Sequence, residues 1–183
     1  MTILQIDSSI TGDNSISRQL TWAITERIAA STPGVEIVHR DVAAEPLDHL
    51  TLAALADRTV LDEFLAADTV VIGAPMYNFT LPSQLKAWID RIMIAGVTFR
   101  YTADGPEGLV SGKRVIVALA RGGFYEAGSP AGALEHLESY LRAVFGFIGI
   151  EPEFIVADGI NLGPDQRAAA LQAALGDTVR LAA

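Results

Sequence analysis

Five short runs rich in Ile and Val recur along the chain: TILQI (2–6), VEIVH (35–39), TVVIGA (69–74), RVIVALA (114–120) and EFIVA (153–157). Each is nearly continuous in its apolar character, as expected of a strand buried on both faces of a parallel sheet. Between them the apolar residues are spaced three and four apart, the period of a helix with one buried face. Leu20, Ile24 and Ile28 form the first stripe, and Leu52, Leu55, Leu61, Phe64 and Leu65 the second. The third is the clearest, with Leu81, Leu85, Trp88, Ile89, Ile92 and Met93. Leu134, Leu137, Leu141, Val144, Phe145 and Ile148 make a fourth, and Leu171, Leu175 and Val179 a fifth. Strand and helix alternate throughout, which restricts the chain to βαβ units.

The expected architecture is therefore α/β. It is a flavodoxin-like doubly wound fold, with a five-stranded parallel sheet and helices on both faces. At 183 residues the chain is expected to be one domain, residues 1–183, with no internal repeat and no linker. The Gly-rich segment YTADGPEGLVSGK (101–113) is read as an ordered loop leading into the fourth strand. In such a fold ligands are met at the carboxyl ends of the strands, at the switch point of the sheet. The functional question narrows to the loops after the first, third and fourth runs.

Charge and composition exclude several classes of function. A formal net charge of −9 and the lack of any basic run argue against nucleic acid and against an anionic membrane surface. The absence of cysteine removes disulfides, thiolate nucleophiles and thiolate-bound metals. His39, His49 and His136 have no spacing that brings two of them to one metal, so no metal site is expected. The N-terminal MTILQID has no basic region ahead of its apolar run, so no signal peptide is expected. No apolar stretch reaches membrane-spanning length, and the expected location is the cytoplasm.

The first loop, SSITGDNSISRQL, is dense in hydroxyls and sparse in glycine. Ser15 or Ser17 suits the N-cap of the following helix. The same hydroxyls, with the N–H groups of a helix N-terminus, also suit an anion. Neither the Walker pattern nor GxGxxG is present, which weakens ATP, GTP and a Rossmann-bound dinucleotide as the resident ligand. After the third run, Pro75 and Pro82 bracket Met76, Tyr77, Asn78 and Phe79. That is an apolar wall with one amide, suited to a flat heteroaromatic ring. After the fourth run, Gly122 and Gly123 allow close approach of backbone to a ligand. Lys86 and Asp90 are placed for a surface ion pair, Asp62 and Glu63 for solvent, and Trp88 for the core or a subunit contact.

The segments SSITGDNSISRQL, PMYNFTLPSQLKAWID, AGVTFRYTADGPEGLVSGKR, RGGFY and FGFIGIEP occur in that order over nearly the whole chain. Together they resemble the FMN-dependent NADH-azoreductase family, among the flavodoxin-like quinone reductases. The resemblance implies a non-covalent FMN and a homodimer with its active sites at the subunit interface. By position, Ser9, Ser15, Ile16 and Ser17 would hold the phosphate. Met76, Tyr77, Asn78 and Phe79 would line the isoalloxazine, and Ala120, Arg121, Gly122 and Gly123 would close on its other edge. Tyr101 would reach the partner's pocket, with Phe147 near the exposed face and Tyr125 beside the substrate. Ala120 stands where the family often has a hydroxyl, Tyr125 where some members have His. The 46–59 segment is shorter than in the family, and the stretch after Tyr125 is longer.

The activity so implied is two-electron reduction of quinones and azo compounds by NADH or NADPH in alternating half-reactions. No side chain is required as an acid–base catalyst. Reading a 2′-phosphate usually takes a nearby Arg, for which Arg100 and Arg121 are the candidates. The competing expectation is a flavodoxin-type electron carrier without a small-molecule substrate of its own.

Overall fold

The computed structural model describes residues 1–182. A five-stranded parallel sheet forms the centre, built from β1 (Thr2–Asp7), β2 (Glu36–Asp41), β3 (Thr69–Pro75), β6 (Arg114–Arg121) and β7 (Glu153–Asp158). Its order is β2-β1-β3-β6-β7, and every pair is parallel. This is the doubly wound order in which the strand order reverses between β1 and β3. All five Ile/Val runs are strands of this sheet.

Alternating side chains of each strand feed two cores. Ile3, Val71, Ile116, Ala118 and Ile155 pack under α1 (Ile16–Ser31) and α5 (Pro164–Asp177). Leu4, Ile6, Val70, Ile72, Val117 and Leu119 pack under α2 (Thr59–Ala66), α3 (Ser83–Ile92) and α4 (Glu138–Phe147). Trp88 is fully buried in the second core, its ring edge-on to Phe64 at 6.0 Å between centroids.

Three expectations change. The second apolar stripe starts too early: Leu52 and Leu55 are exposed, and only Val60, Leu61 and Phe64 of α2 reach the core. Leu134 belongs to a short 3-10 turn, so α4 starts at Glu138. Residues 101–113 do not form a simple loop. They contribute to an antiparallel hairpin of β4 (Phe99–Thr102) and β5 (Gly105–Gly108). The hairpin packs so tightly on the turn after α4 that a Cβ on Gly108 would lie 2.2 Å from the Gly149 nitrogen.

The charged residues of α2 and α3 are paired, and Glu63, expected in solvent, is partly buried against Arg40. Lys86 contacts Asp90 at 2.5 Å, Arg58 meets Asp62 and Arg40 meets Glu63. His39 lies 2.9 Å from the buried Asp7 carboxylate, which also accepts from Gln5 and Thr21. Among the described residues no three His, Asp or Glu side chains cluster as metal ligands, and no helix is long and apolar enough to cross a membrane.

Candidate functional site

At the carboxyl edge of β1, β3, β6 and β7 lies a cleft of about 370 Å³. Its lining comes from Ser9, Thr11, Asn14, Ser15 and Ile16 on the first loop and from Pro75, Met76 and Tyr77 after β3. Ala120 and Gly122 after β6, and Ile160, Asn161 and Arg167 after β7, complete it.

One end of the cleft is an anion site in chemical character. Ser15 caps α1, its Oγ accepting from the Arg18 N–H at 3.3 Å. The next two helical N–H groups, those of Ile16 and Ser17, have no acceptor among the described residues. They are donors of a helix start carrying partial positive charge. Ser15 and Ser17 share a hydrogen bond of 3.0 Å between hydroxyls, and both are buried. Ser9 is buried too, its hydroxyl 3.0 Å from Thr11 and 3.2 Å from the Tyr77 phenol. Tyr77 additionally accepts from the Ile10 N–H. The phenol therefore ties the β3 loop to the hydroxyl loop, a role that the sequence does not announce.

The other end is apolar, walled by Pro75, Met76, Ala120 and Ile160. Its floor is a zipper between two loops. The carbonyls of Arg121, Gly122 and Gly123 accept from the N–H groups of Ile160, Asn161 and Gly159. A Cβ on Gly122 would sit 2.6 Å from the Asn161 amide nitrogen, so the bare backbone there is a packing requirement.

The cleft thus gathers Ser9, Ser15, Ile16, Met76, Tyr77, Ala120 and Gly122. Ser17 lies just beneath it. Asn78 and Phe79 stand outside the lining, at positive φ in an exposed turn closed by paired Tyr77 and Thr80 hydrogen bonds. Phe79 leans on Tyr125, with centroids 6.4 Å apart, and Gly123 lies under the Tyr125 ring. Tyr101 and Phe147 form a separate aromatic cluster with Phe99, the Phe99–Phe147 centroids being 4.7 Å apart. Tyr101 is 75% exposed.

Arg121 turns away from the cleft. It is buried, donates to Asp158 at 2.6 and 2.8 Å, and faces Glu138 at 3.4 Å and Glu135 at 3.8 Å. Burial alone would lower its pKa; Asp158, Glu138 and Glu135 together raise it. Thr11, Asn14 and Pro75 lie in loops that the sequence singles out, though not named as ligands, and sequence reasoning missed Ile160, Asn161 and Arg167. The last three lie in GINLGPDQR, after the fifth run, whose strand ends at the same sheet edge.

A doubly wound α/β domain with donors at one end of a switch-point cleft and an apolar wall at the other is a mononucleotide-binding protein in form. Residues 1–181 match the family described as having a flavodoxin-like fold, and the chain belongs to that family. It is 58% identical to the FMN-dependent NADH:quinone oxidoreductase 2 of Bradyrhizobium diazoefficiens, over 96% of each chain. It is 53% identical over the whole of both chains to the FMN-dependent NADH:quinone oxidoreductase of Sinorhizobium fredii. Among solved structures, an azoreductase from Bacillus anthracis matches with a TM-score of 0.89 at 28% identity, over 100% of this chain and 98% of the other. An FMN-dependent NADH-azoreductase of the same species, in complex with FMN, matches with a TM-score of 0.84 at 25% identity, over 100% and 99%.

Proposed function

We propose that the chain is an FMN-dependent oxidoreductase that reduces quinones and azo compounds with NADH, working as a cytoplasmic homodimer. The observation that carries this reading is the polarity of the switch-point cleft. Buried serines and two acceptor-free helix N–H groups stand at one end, and the apolar side chains of Pro75, Met76, Ala120 and Ile160 stand at the other. A phosphate monoester attached to a flat ring system has the same polarity, and FMN fits the donor set without a Walker lysine. The names of the relatives at 58% and 53% identity support the same cofactor and electron donor.

When bound, FMN supplies the hydride and electron chemistry. The protein's share is binding, orientation and exclusion of water. Ser9, Ser15 and Ser17, with the Ile16 and Ser17 N–H groups, fix the phosphate end, and Tyr77 locks two of the lining loops together. Met76, Ala120 and Gly122 shape the ring end, with Asn78 at its edge and Gly123 behind it. Phe79 and Tyr125 frame the rim where donor and acceptor enter in turn. Tyr101, exposed on the hairpin, and the half-buried Phe147 beside it serve the pocket across a dimer. Arg121 is buried and enclosed by Asp158, Glu138 and Glu135, which removes it as a reader of a 2′-phosphate, and NADH is the donor in the names of the relatives.

The test is direct. Purified protein should be yellow, release FMN on denaturation, bleach with NADH in the absence of air, and recolour on adding a quinone. A colourless protein that takes up no FMN overturns the reading. A yellow protein that NADH cannot bleach would be an electron carrier.

A further inference from the structure

A phosphate monoester brings close to two negative charges into a chain whose formal net charge is −9. Serine hydroxyls and backbone N–H groups are neutral donors, and a helix N-terminus contributes about half a charge. A cationic side chain at that end would offset the remainder. Arg18, on the hydroxyl loop itself, is already committed: it donates to both oxygens of Asp41, at 2.6 and 2.9 Å, and to the Ser9 carbonyl at 2.8 Å. Arg121 is enclosed by Asp158, Glu138 and Glu135.

Arg167 is differently placed. It sits in the first turn of α5, is half-buried, and lines the same cleft as Ser9, Thr11, Asn14 and Ser15. Among the described residues no carboxylate lies within ion-pair distance of it. One N–H of its guanidinium donates to the Asn14 carbonyl, next to the Ser15 cap. A guanidinium has five N–H donors in a rigid fork. The Asn14 bond anchors the group beside the hydroxyls and leaves further donors for an anion.

We propose that Arg167 is the counter-ion of the flavin phosphate, the residue by which this chain binds FMN in preference to riboflavin. The proposal rests on the FMN reading above and concerns the phosphate end of that same cleft. A guanidinium there adds charge-assisted bonds to an oxyanion that has no fixed countercharge otherwise. It also couples α5 to the hydroxyl loop, since the same side chain holds Asn14.

The experiment measures affinity of the flavin-free full chain for FMN and for riboflavin, by flavin fluorescence, in wild type, Arg167→Gln and Arg167→Lys. Riboflavin has the ring system without the phosphate and so isolates the phosphate term. Arg167→Gln should weaken FMN about tenfold or more and leave riboflavin unchanged. Arg167→Lys should retain part of the difference, and the wild-type preference for FMN should shrink with added salt. Equal losses for FMN and riboflavin would overturn the proposal, reducing Arg167 to a latch on Asn14. Unchanged FMN affinity in Arg167→Gln would overturn it as well. A wild-type chain that binds neither flavin would instead overturn the FMN reading, and the proposal with it.

Discussion

In the turn between Tyr77 and Thr80, both central residues lie at positive φ, Asn78 at 48° and Phe79 at 73°. Two-residue hairpin turns of this kind take Asn followed by Gly, because only Gly is at ease in the second position. Phe79 therefore carries a backbone cost of about 1–2 kcal/mol, and the turn persists because its partners over-determine it. The Phe79 carbonyl accepts from the His136 N–H at 3.0 Å, and Thr80 donates to the His136 carbonyl at 3.1 Å. The ring is exposed and offers little burial in return, apart from an edge contact with Tyr125 worth about 0.5–1.5 kcal/mol. The two terms nearly cancel, so Phe79→Gly should leave stability within about 1 kcal/mol of wild type. It should raise the Michaelis constant for a quinone about tenfold, near 1.4 kcal/mol of lost acceptor binding. Thermal unfolding beside steady-state kinetics separates the two effects; a large loss of stability with unchanged kinetics would assign the ring to packing. The sequence exposes the apolar and amide character of this loop. It cannot expose the strain, which comes from His136 arriving from a distant segment.

The hairpin of β4 and β5 is the element that sequence periodicity hides most completely. Its residues alternate weakly and face solvent, and a Gly-Pro pair stands in the second strand, so nothing in the pattern separates it from a loop. What fixes it is tertiary. Leu109 donates to the Thr98 carbonyl, Val110 to the Ile148 carbonyl, and Gly108 lies flat against the Ile148–Gly149 backbone. Gly108→Ala should push the hairpin off this seat at a cost of about 1–3 kcal/mol. A domain of this size would lose several degrees of melting temperature. If the proposed homodimer forms, the change should also weaken it, because Tyr101 moves with the hairpin; sedimentation beside thermal unfolding checks both. Helix ends tell the same lesson. The third stripe of apolar residues matches α3, since its spacing reflects one buried face. The second stripe failed because Leu52 and Leu55 precede Asp57 and Arg58 in an irregular surface segment, where apolar spacing has no face to report.

At the scale of the whole molecule, the doubly wound topology and the position of the cleft were legible, because strand burial on both faces imposes composition directly. The contribution of the loop after β7 was not, since Asn161 and Arg167 carry no motif and gain their meaning only from β7 lying next to β6. Long-range charge pairs were equally invisible. Burial pushes the Asp41 carboxyl up, but the two-pronged Arg18 contact and the N–H groups of Ala44 and Ala43 outweigh it and hold it below the ordinary range. Burial likewise raises the Glu135 carboxyl, and donation from Ser139, Glu138 and Leu137 more than offsets it. Carboxyls lowered in the folded state stabilise it fully above their unfolded values, about 3.9 for Asp and 4.3 for Glu. That stabilisation is lost as pH falls through the lower folded values. Melting temperature should therefore be insensitive to these groups between about pH 5 and 7 and decline below about pH 4. Asp41→Asn should flatten part of that decline; an unchanged acid limb would remove Asp41 from the account. The cleft itself has a thermodynamic consequence. Its walls come from four stretches of chain, around residues 9–16, 75–77, 120–122 and 160–167, with little sequence proximity among them. A ligand seated there bridges all four and exists in bound form only when the sheet is complete. At a free concentration a thousandfold above its dissociation constant, such a ligand adds about 4 kcal/mol to the unfolding free energy. The supply of flavin would then govern how long each molecule survives as well as how fast it turns over.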